Sequence, residues 1–328
     1  IWALGPPFGS QGPLIFGPNV PYWFPNVPYW FPIGDHIGNA TEAPHLHYLS
    51  FPVAFHASLG PSSLPGTGAS LLSAAKTSVV SADKASDISM ESTTTRAQLR
   101  RARVVVDAIE YDVNGTPGLY AITTDADGER SFTYWRDQSA ARKMFQTTQG
   151  PNFGALKGYD VLYLSGISLA ILPQETCETL LEWLAGYQSR GGRVVYDSNH
   201  RPKLWPDAET AQKLNAEMWA IADIALPSID DEAFLSGESP DEIAARFLRL
   251  GKTGALKRGP SGPLCLATGA VYDYRQAARV VDTTAAGDSF NGGYLGALFQ
   301  GANQAEALRV GHDLAARVVG YKGAIVPT

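Results

Sequence analysis

Apolar and polar positions alternate along most of the chain in a way that predicts a strand, a helix and a second strand in succession. Residues 158–165 are a largely apolar run, which indicates a buried strand. After Pro173, apolar residues recur at helical spacing as far as Tyr187, and glycines at 191 and 192 end the helix. Residues 193–197 then form the next apolar run. The segment therefore predicts one βαβ unit.

The same order of elements recurs further along the chain. Residues 223–226 predict another short strand, and residues 240–250 predict a helix. Repeated βαβ units are typical of a doubly wound, mainly parallel sheet flanked by helices, so we predict the α/β fold class. In such sheets ligands bind at the carboxyl ends of the strands. Polar motifs that follow predicted strands are therefore candidates for a site.

A β-hairpin is predicted before these units. Residues 117–120 and 129–136 flank an Asp-Gly turn, and Phe132, Tyr134 and Arg136 alternate on one face of the second arm. Amphipathic strands of this kind usually just cover a hydrophobic core. The hairpin alone therefore indicates no function.

The segment 282–290 combines small residues with a carboxylate at a predicted strand-to-helix corner. Residues 279–281 predict the end of a strand, and apolar residues after the corner recur at helical spacing. N–H groups of the first helical turn can close on an anion there, helped by the helix dipole. The small residues are Ala285, Ala286 and Gly287. An isolated aspartate such as Asp288 is most often only a favourable first-turn charge.

This segment resembles the second signature of the ribokinase-like (pfkB) sugar kinases, usually written D-T-x-G-A-G-D. The resemblance implies that Asp288 is the base that takes the proton from the attacking sugar hydroxyl. It also implies that the N–H groups of Ala286, Gly287 and Asp288 hold the transferring phosphoryl group. Ala285, in the same turn, stands where the wider family has glycine. The Thr-Thr-Ala-Ala-Gly-Asp form is what 2-keto-3-deoxygluconate kinases tend to show.

The segment 197–205 follows a predicted strand and places Arg201 at the edge of the sheet. A guanidinium there suits bidentate capture of a carboxylate or phosphate, and a solvated loop with a surface arginine is the alternative. The string D-x-N-x-R-P-x-L-W is similar to the corresponding loop of 2-keto-3-deoxygluconate kinases. That similarity implies that Arg201 holds the sugar acid, and that Asp197 and Asn199 lie between substrate and nucleotide phosphates. His200 matches no family ligand.

In the resembled family the predicted hairpin belongs to a small β-sheet lid. Tyr120, Tyr134 and Arg136 then correspond to residues that contact the keto acid. Arg136 and Arg201 together would compensate the charge of a carboxylate that is desolvated under the lid. We predict a lid over about residues 112–138, together with N-terminal strands.

The residues for the nucleotide are implied by weaker resemblances. The turn at 257–262 is similar to the K-x-G-x-x-G turn that borders ATP, although a glycine-rich turn by itself is usually a hairpin. Asp231 and Glu232, with a serine before them, resemble the family's N-x-x-E segment, and a late helix flanks adenine. Mg²⁺ is expected mainly on the ATP phosphates, because no His or Cys cluster is present to hold it. The implied nucleotide-binding residues outside the 282–290 segment are Asp197, Ser228, Lys257, Gly259, Gly262 and His312.

Composition restricts the possible partners. The 328 residues carry a formal net charge of −6, which argues against a nucleic-acid surface. Cys177 and Cys265 are too few for a disulfide framework or a metal set. No apolar run approaches the roughly 20 residues that span a bilayer, and no basic region precedes the first apolar residues. We therefore expect a cytoplasmic enzyme that acts on small molecules.

The first 100 residues do not fit the family. No Lys or Arg precedes Lys76, prolines crowd residues 6–65, and the segment 19–25 is repeated at 26–32. Prolines at this density exclude helix interiors and central strands. A ribokinase-like chain would have a G-G-D-x-x-N-x-A segment, and the most similar stretch, residues 66–75, lacks its Asp and Asn. Such tracts can be linkers or recognition segments, but our leading hypothesis is a corrupted sequence over a normal backbone, which an intact-mass measurement would test.

These motifs predict a single ribokinase-like domain over residues 1–328 that uses ATP to phosphorylate 2-keto-3-deoxygluconate. The product would be 2-keto-3-deoxy-6-phosphogluconate. Another sugar kinase of the same fold, such as a fructokinase, is the alternative enzyme. A catalytically silent sugar-binding or regulatory relative is the alternative outside the enzymes, although the intact Asp288 weighs against it. Exposed lid strands also favour a homo-oligomer formed through the lid.

Overall fold

The computed structural model describes residues 136–321 in full. Before them it describes residues 109, 110, 112 and 115, and the backbone alone of five strands that lie within residues 2–135. Most of the anomalous first 100 residues, and residues 322–328, lie outside this description.

Two β-sheets and a short two-stranded pair contain the described strands. The strands are β1 (Trp2–Leu4), β2 (Tyr29–Trp30), β3 (His45–Leu49), β4 (Gly118–Thr124), β5 (Arg130–Trp135), β6 (Gln146–Thr147), β7 (Gly150–Pro151), β8 (Val161–Ser165), β9 (Arg193–Asp197), β10 (Ile224–Leu226), β11 (Thr253–Leu256) and β12 (Leu264–Cys265). The main sheet has the order β1-β8-β9-β10-β11-β12. Its four central strands are parallel, and β1 and β12 run antiparallel at its edges.

Helices connect the parallel strands and cover both faces of the main sheet. The described helices are α1 (Gly166–Ala170), α2 (Gln174–Ser189), α3 (Ala208–Ile221), α4 (Ile229–Ser236), α5 (Pro240–Leu250), α6 (Ala286–Phe299) and α7 (Gln304–Val318). No described helix is both long enough and apolar enough to cross a membrane.

Local sequence signals explain where these elements begin and end. Helix α5 starts with a capping box, in which Ser239 and Glu242 satisfy each other's backbone N–H groups, and it ends at Gly251 in a left-handed conformation. Asp207 caps α3 by accepting a hydrogen bond from the N–H of Thr210 at 2.7 Å. The predicted strand at 193–197 and the predicted helix at 240–250 are confirmed residue for residue.

Alternate residues of the central strands enter two hydrophobic clusters on opposite faces of the sheet. In β8, Leu162 and Leu164 pack with α2, α3 and α5, whereas Val161 and Tyr163 pack with α6 and α7. Such a strand is buried on both faces, which is why its sequence is a continuous apolar run. This arrangement confirms the predicted α/β architecture.

The second sheet is small and antiparallel, with the order β2-β3-β4-β5. Strands β4 and β5 pair from Leu119↔Trp135 to Thr124↔Arg130, so the predicted hairpin is confirmed. Tyr120 pairs with Tyr134 in this register. The role of the sheet as a lid stays a prediction.

The strand expected at residues 279–281 is not formed. The segment is irregular, and the N–H groups of Val281 and Asp282 both donate to the carbonyl of Val319, at 2.7 and 3.1 Å. Val280 is 66% exposed. The valines at 280 and 281 resemble a strand in sequence, but the segment pairs with the end of α7 instead of with a neighbouring strand.

Candidate active site

The first turn of α6 is the centre of the candidate site. The chain reverses at Ala285, which has φ +62° and is the N-cap of the helix. A left-handed conformation costs a non-glycine residue about 1 to 2 kcal/mol, which accounts for the family's usual glycine at this position. Asp282 is buried and accepts a hydrogen bond from the N–H of Thr284 at 2.9 Å, which stabilises the turn. Asp288 lies in the first helical turn and is half-buried.

Two backbone donors of this turn have partners within the turn. The N–H of Ala286 donates to the carbonyl of Thr283 at 3.2 Å, and the N–H of Ser289 donates to Ala285 at 2.9 Å. Gly287, between them, is exposed. The N–H of Ala286 would have to exchange its bond within the turn to contact a phosphoryl group. The roles implied for the N–H groups of Ala286, Gly287 and Asp288 therefore stay predictions.

Lys257 and Asp197 form a buried ion pair beside this turn. Lys257 follows β11 and Asp197 ends β9, so both lie at the carboxyl edge of the sheet. The Lys257 Nζ to Asp197 Oδ1 distance is 2.5 Å, and Asp197 is only 2% exposed. A β carbon added at Gly287 would lie 3.9 Å from Lys257 Nζ. The structure thus brings together Lys257, Asp197 and Gly287, whose roles the resemblance implied separately.

Two further polar residues join this group. The Tyr163 hydroxyl donates to Asp197 Oδ2 at 2.9 Å, and Asn291 Nδ2 donates to the Tyr163 oxygen at 3.0 Å. Neither residue was predicted to lie in a site. Tyr163 lies within an apolar strand and Asn291 within an apolar helix. The only sign of their role in the sequence was a polar group among apolar neighbours.

The loop after β9 is tied to the start of α4. Ser198 Oγ donates to Asp231 Oδ2 at 2.9 Å and accepts from the N–H of Ser228 at 3.0 Å. The N–H of His200 also donates to Asp231 Oδ2, at 3.2 Å. A β carbon added at Gly166 would collide with the Ser198 carbonyl oxygen, so α1 and this loop can pack only because residue 166 is glycine. Ser228 and Asp231 therefore face the site edge.

The substrate-binding candidates lie on two different segments. Arg136 directly follows β5 and is 6% exposed. Arg201 is exposed, and its Nη1 donates to the carbonyl of His200 at 2.7 Å. Asn199 is buried with φ +30°, a conformation that asparagine tolerates better than most residues. Burial lowers the pKa of His200, whose ring packs near Trp205, so it acts as a neutral packing residue.

The glycine-rich turn joins β11 to β12 as an antiparallel hairpin. Gly259 and Gly262 have positive φ values of 54° and 72°. Arg258 holds the turn, because its Nε donates to the Gly262 carbonyl at 2.9 Å. Gly262 packs against the ring of Tyr274, and that ring lies 4.9 Å from the ring of His312. The implied nucleotide residues Gly262 and His312 therefore share one neighbour.

Glu232 lies in the protein interior instead of the site. Trp219 Nε1 donates to Glu232 Oε1 at 3.1 Å, and Arg246 Nη2 lies 3.0 Å from Oε2. Burial raises the pKa of Glu232 from 4.5 to about 7, even though both of these contacts favour the charged form. Of the two acids at 231 and 232, Asp231 thus faces the candidate site.

Replacement of Glu232 by glutamine should change how stability depends on pH. The pKa of Glu232 is higher in the folded chain, about 7, than its ordinary value of 4.5, so protonation stabilises the fold. This contribution is full below pH 4.5 and is lost as pH rises to 7, by about 1 to 3 kcal/mol. The glutamine in Glu232→Gln cannot titrate. The melting temperature of this variant, relative to that of the wild type, should therefore rise as pH goes from 4.5 to about 7.

Glu238 is the matched control, because it is the second partner of Arg246, at 2.6 Å. The hydrogen bond from Arg246 holds the pKa of Glu238 below its ordinary value. The stability that Glu238 contributes is therefore lost as pH falls below about 4.5. At higher pH, the difference in melting temperature between Glu238→Gln and the wild type should stay constant. Thermal unfolding of the three proteins between about pH 3.5 and 7.5 measures both trends. A constant difference between Glu232→Gln and the wild type would contradict the prediction.

No group of three or more His, Cys, Asp or Glu side chains within the described residues is arranged to hold a metal ion. The carboxylates of Asp231 and Asp197 lie at the carboxyl edge of the sheet, and Lys257 already pairs with Asp197. Carboxylate oxygens suit Mg²⁺, which keeps several waters and is bound largely by nucleotide phosphates in kinase sites.

Comparisons with known proteins relate the chain to carbohydrate kinases. A family model described as "pfkB family carbohydrate kinase" matches residues 89–328. The 2-dehydro-3-deoxygluconokinase of Dickeya dadantii (strain 3937) is 40% identical over 244 residues, which cover 72% of this chain and 79% of that protein. The enzyme of the same name from Escherichia coli (strain K12) is 41% identical over 224 residues, which cover 65% of this chain and 72% of that enzyme.

Solved structures share the fold. A PfkB protein from Polaromonas sp. JS666 superposes with a TM-score of 0.60 at 22% identity, covering 73% of this chain and 78% of its own. Aminoimidazole riboside kinase from Salmonella enterica, solved with aminoimidazole riboside and an ATP analog, gives a TM-score of 0.55 at 25% identity, covering 75% and 79%. The fold is therefore ribokinase-like, as predicted. Because the family model matches most of the chain, the chain belongs to the pfkB family of carbohydrate kinases.

Proposed function

We propose that the protein transfers the γ-phosphoryl group of ATP to 2-keto-3-deoxygluconate, which is also called 2-dehydro-3-deoxygluconate. The acceptor is the primary hydroxyl distal to the carboxylate, and the product is 2-keto-3-deoxy-6-phosphogluconate. The observation that carries the proposal is the position of Asp288 in the first turn of α6, where the preceding residue, Gly287, lies beside the Lys257–Asp197 pair. Relatives near 40% identity that carry the name 2-dehydro-3-deoxygluconokinase support the choice of acceptor.

Asp288 serves as the general base. The acceptor oxygen forms a bond to the γ-phosphorus as the bond from that phosphorus to the β,γ-bridging oxygen breaks. The hydroxyl proton passes to the Asp288 carboxylate, and ADP leaves. A half-buried carboxylate is suited to this role, because it can reach a bound hydroxyl while part of its surface stays solvated.

The transferring group carries negative charge that the protein must stabilise. Three groups that can stabilise this charge lie at the start of α6. They are the N–H of the exposed Gly287, the positive end of the α6 dipole and the Lys257 ammonium. Mg²⁺ bound to the nucleotide would neutralise further charge on its phosphates, with Asp231 as a candidate carboxylate beside it. Gly259, Gly262 and the residues around Tyr274 would border the nucleotide.

The sugar carboxylate is assigned to Arg136 and Arg201. Arg136 is buried, so a bound carboxylate would meet a guanidinium that is already shielded from water. Arg201 is exposed and needs only to exchange its hydrogen bond to the His200 carbonyl for one to the ligand. Tyr120 and Tyr134, which are register partners, stay candidates on the lid side. A cytoplasmic location and assembly through the lid also stay predictions.

Removal of either arginine should weaken the keto acid selectively. Loss of a charge-assisted partner for a desolvated carboxylate costs roughly 1.5 to 3 kcal/mol, so Arg201→Ala and Arg136→Ala should each lower kcat/KM for the keto acid by about 10- to 150-fold. A neutral sugar of similar size gains nothing from a guanidinium, so its slower turnover should be unchanged. The measurement is the ratio of the two kcat/KM values.

Arg249→Ala is the matched control, because Arg249 is exposed in the last turn of α5. It should leave both kcat/KM values unchanged. If Arg136→Ala and Arg201→Ala lower the values for both substrates in parallel, these arginines hold phosphate or structure. The sugar-acid assignment then fails, although the kinase assignment survives.

A further inference from the structure

Tyr163 is a buried polar residue in the middle of the main sheet. It lies in β8 with 5% of its surface exposed, on the face of the sheet that packs against α6. Its hydroxyl donates to Asp197 Oδ2 at 2.9 Å and accepts from Asn291 Nδ2 at 3.0 Å. One hydroxyl thus connects β8, the end of β9 and helix α6.

Three contacts and one close approach form a ring that begins and ends on α6. Asn291 contacts Tyr163, Tyr163 contacts Asp197, and Asp197 contacts Lys257 at 2.5 Å. Lys257 Nζ then lies 3.9 Å from the position that a β carbon of Gly287 would occupy. Gly287 and Asn291 are four residues apart, so they lie on one face of the helix. Helix α6 is thus bonded to β8 through Asn291, and its first turn lies beside the Lys257 ammonium.

Asp197 depends on this ring for both of its oxygens. A carboxylate that is 2% exposed must be hydrogen-bonded on each oxygen, because water is excluded. Lys257 contacts Oδ1 and Tyr163 contacts Oδ2. Burial, followed by the nearby carboxylates of Asp197 and Asp288, raises the pKa of Tyr163 well above its usual value. The hydroxyl therefore stays protonated and remains a constant donor.

We propose that Tyr163 is a positioning residue for phosphoryl transfer, which holds Asp197, Lys257 and the first turn of α6 in a fixed register. Its hydroxyl touches neither substrate. It acts through Asp197, which orients the Lys257 ammonium, and through Asn291, which lies three residues after Asp288 on the same helix. The inference rests on the proposed function, because the register matters only if Asp288 and Lys257 act on one phosphoryl group.

Tyr163→Phe tests the inference, with Tyr196→Phe as the matched control. Tyr196 lies on the neighbouring strand β9, is fully buried, and donates its hydroxyl to Asn215 Oδ1 at 2.6 Å on the opposite face of the sheet. Tyr163→Phe removes a buried hydroxyl with two partners, Asp197 and Asn291, whereas Tyr196→Phe removes one with a single partner, Asn215. Both should lower the melting temperature, and Tyr163→Phe should lower it more.

Kinetics should separate the two variants. Because a misplaced catalytic group costs rate more than ground-state binding, Tyr163→Phe should lower kcat by about 10- to 100-fold, with KM for the keto acid within about twofold of wild type. Tyr196→Phe should keep kcat within about twofold. An unchanged kcat in folded Tyr163→Phe would overturn the inference, as would equal losses of kcat in both variants.

Asn291→Ala is the second variant, which keeps the inference testable if Tyr163→Phe fails to fold. It removes the hydrogen bond from Asn291 to the Tyr163 hydroxyl. It should therefore also lower kcat, with KM for the keto acid nearly constant. Full kcat in Asn291→Ala, with KM for the keto acid unchanged, would contradict the proposal. All variants are compared with the wild type. If the wild type phosphorylates no sugar acid, the proposed function fails, whereas the positioning role fails only when an active wild type and Tyr163→Phe have equal kcat.

Discussion

Asp288→Asn should lower kcat by about 10²- to 10⁴-fold, with the KM for ATP and the melting temperature nearly unchanged. Asparagine has the shape of aspartate and keeps its hydrogen bonding, but it cannot accept the proton of the sugar hydroxyl. The first turn of α6 is fixed by the buried Asp282 and by the bond from Ser289 to Ala285, so the substitution should leave the backbone in place. Steady-state ADP release measures the effect.

The alternative for Asp288 is a favourable first-turn charge without a chemical role. Glu306 is a control for that alternative, because it is an exposed acid in the first turn of α7. Glu306→Gln should cost a few tenths of a kcal/mol in stability and leave kcat unchanged. If Asp288→Asn behaves like Glu306→Gln, then Asp288 is a structural residue and the catalytic assignment is wrong.

Lys257→Met should both destabilise the fold and slow the reaction. Without the ammonium, the buried Asp197 carboxylate keeps the Tyr163 hydroxyl as its hydrogen-bond partner, and an uncompensated buried charge costs about 3 to 5 kcal/mol. The transferring phosphoryl group also loses a positive charge at the start of α6, which should lower kcat by about 10²- to 10³-fold. Urea denaturation and ADP release measure the two effects separately.

The double variant Lys257→Met with Asp197→Asn distinguishes stability from chemistry. Asparagine carries no charge, so the double variant should regain most of the free energy of unfolding that Lys257→Met loses. It should remain slow, because the ammonium is still absent. Recovery of kcat in the double variant would show that Lys257 only neutralises Asp197 and takes no part in phosphoryl transfer.

Local sequence signals predicted much of the main sheet correctly. Strand β9 and helix α5 were correct because their signals are local: an apolar run preceded by two glycines, and a capping box followed by a terminal glycine. The strand expected at residues 279–281 was wrong. Whether a short valine-rich segment joins a sheet depends on a neighbouring strand, and here the partner is the end of α7.

The candidate site was predictable only where a motif carried it. Lys257 and Asp197 were assigned by resemblance, and the structure places them 2.5 Å apart although 60 positions separate them. Tyr163 was not predicted, because a single hydroxyl among apolar neighbours is a weak signal and an aromatic residue in an apolar strand usually only packs. The choice between Asp231 and Glu232 also needed the fold, since adjacent helical residues point about 100° apart. One of them reaches the Ser198 loop and the other reaches Trp219.

ADP release from the purified protein with ATP and Mg²⁺, measured across a panel of 2-keto-3-deoxy sugar acids and neutral sugars, tests both the reaction and the acceptor. The phosphorylated carbon of each product is then identified. We predict the highest kcat/KM for 2-keto-3-deoxygluconate and a phosphate on the primary hydroxyl distal to its carboxylate. A preference for fructose or another neutral sugar would contradict the acceptor assignment. The absence of ADP release with every member of the panel would contradict the kinase assignment and favour a silent sugar-binding protein.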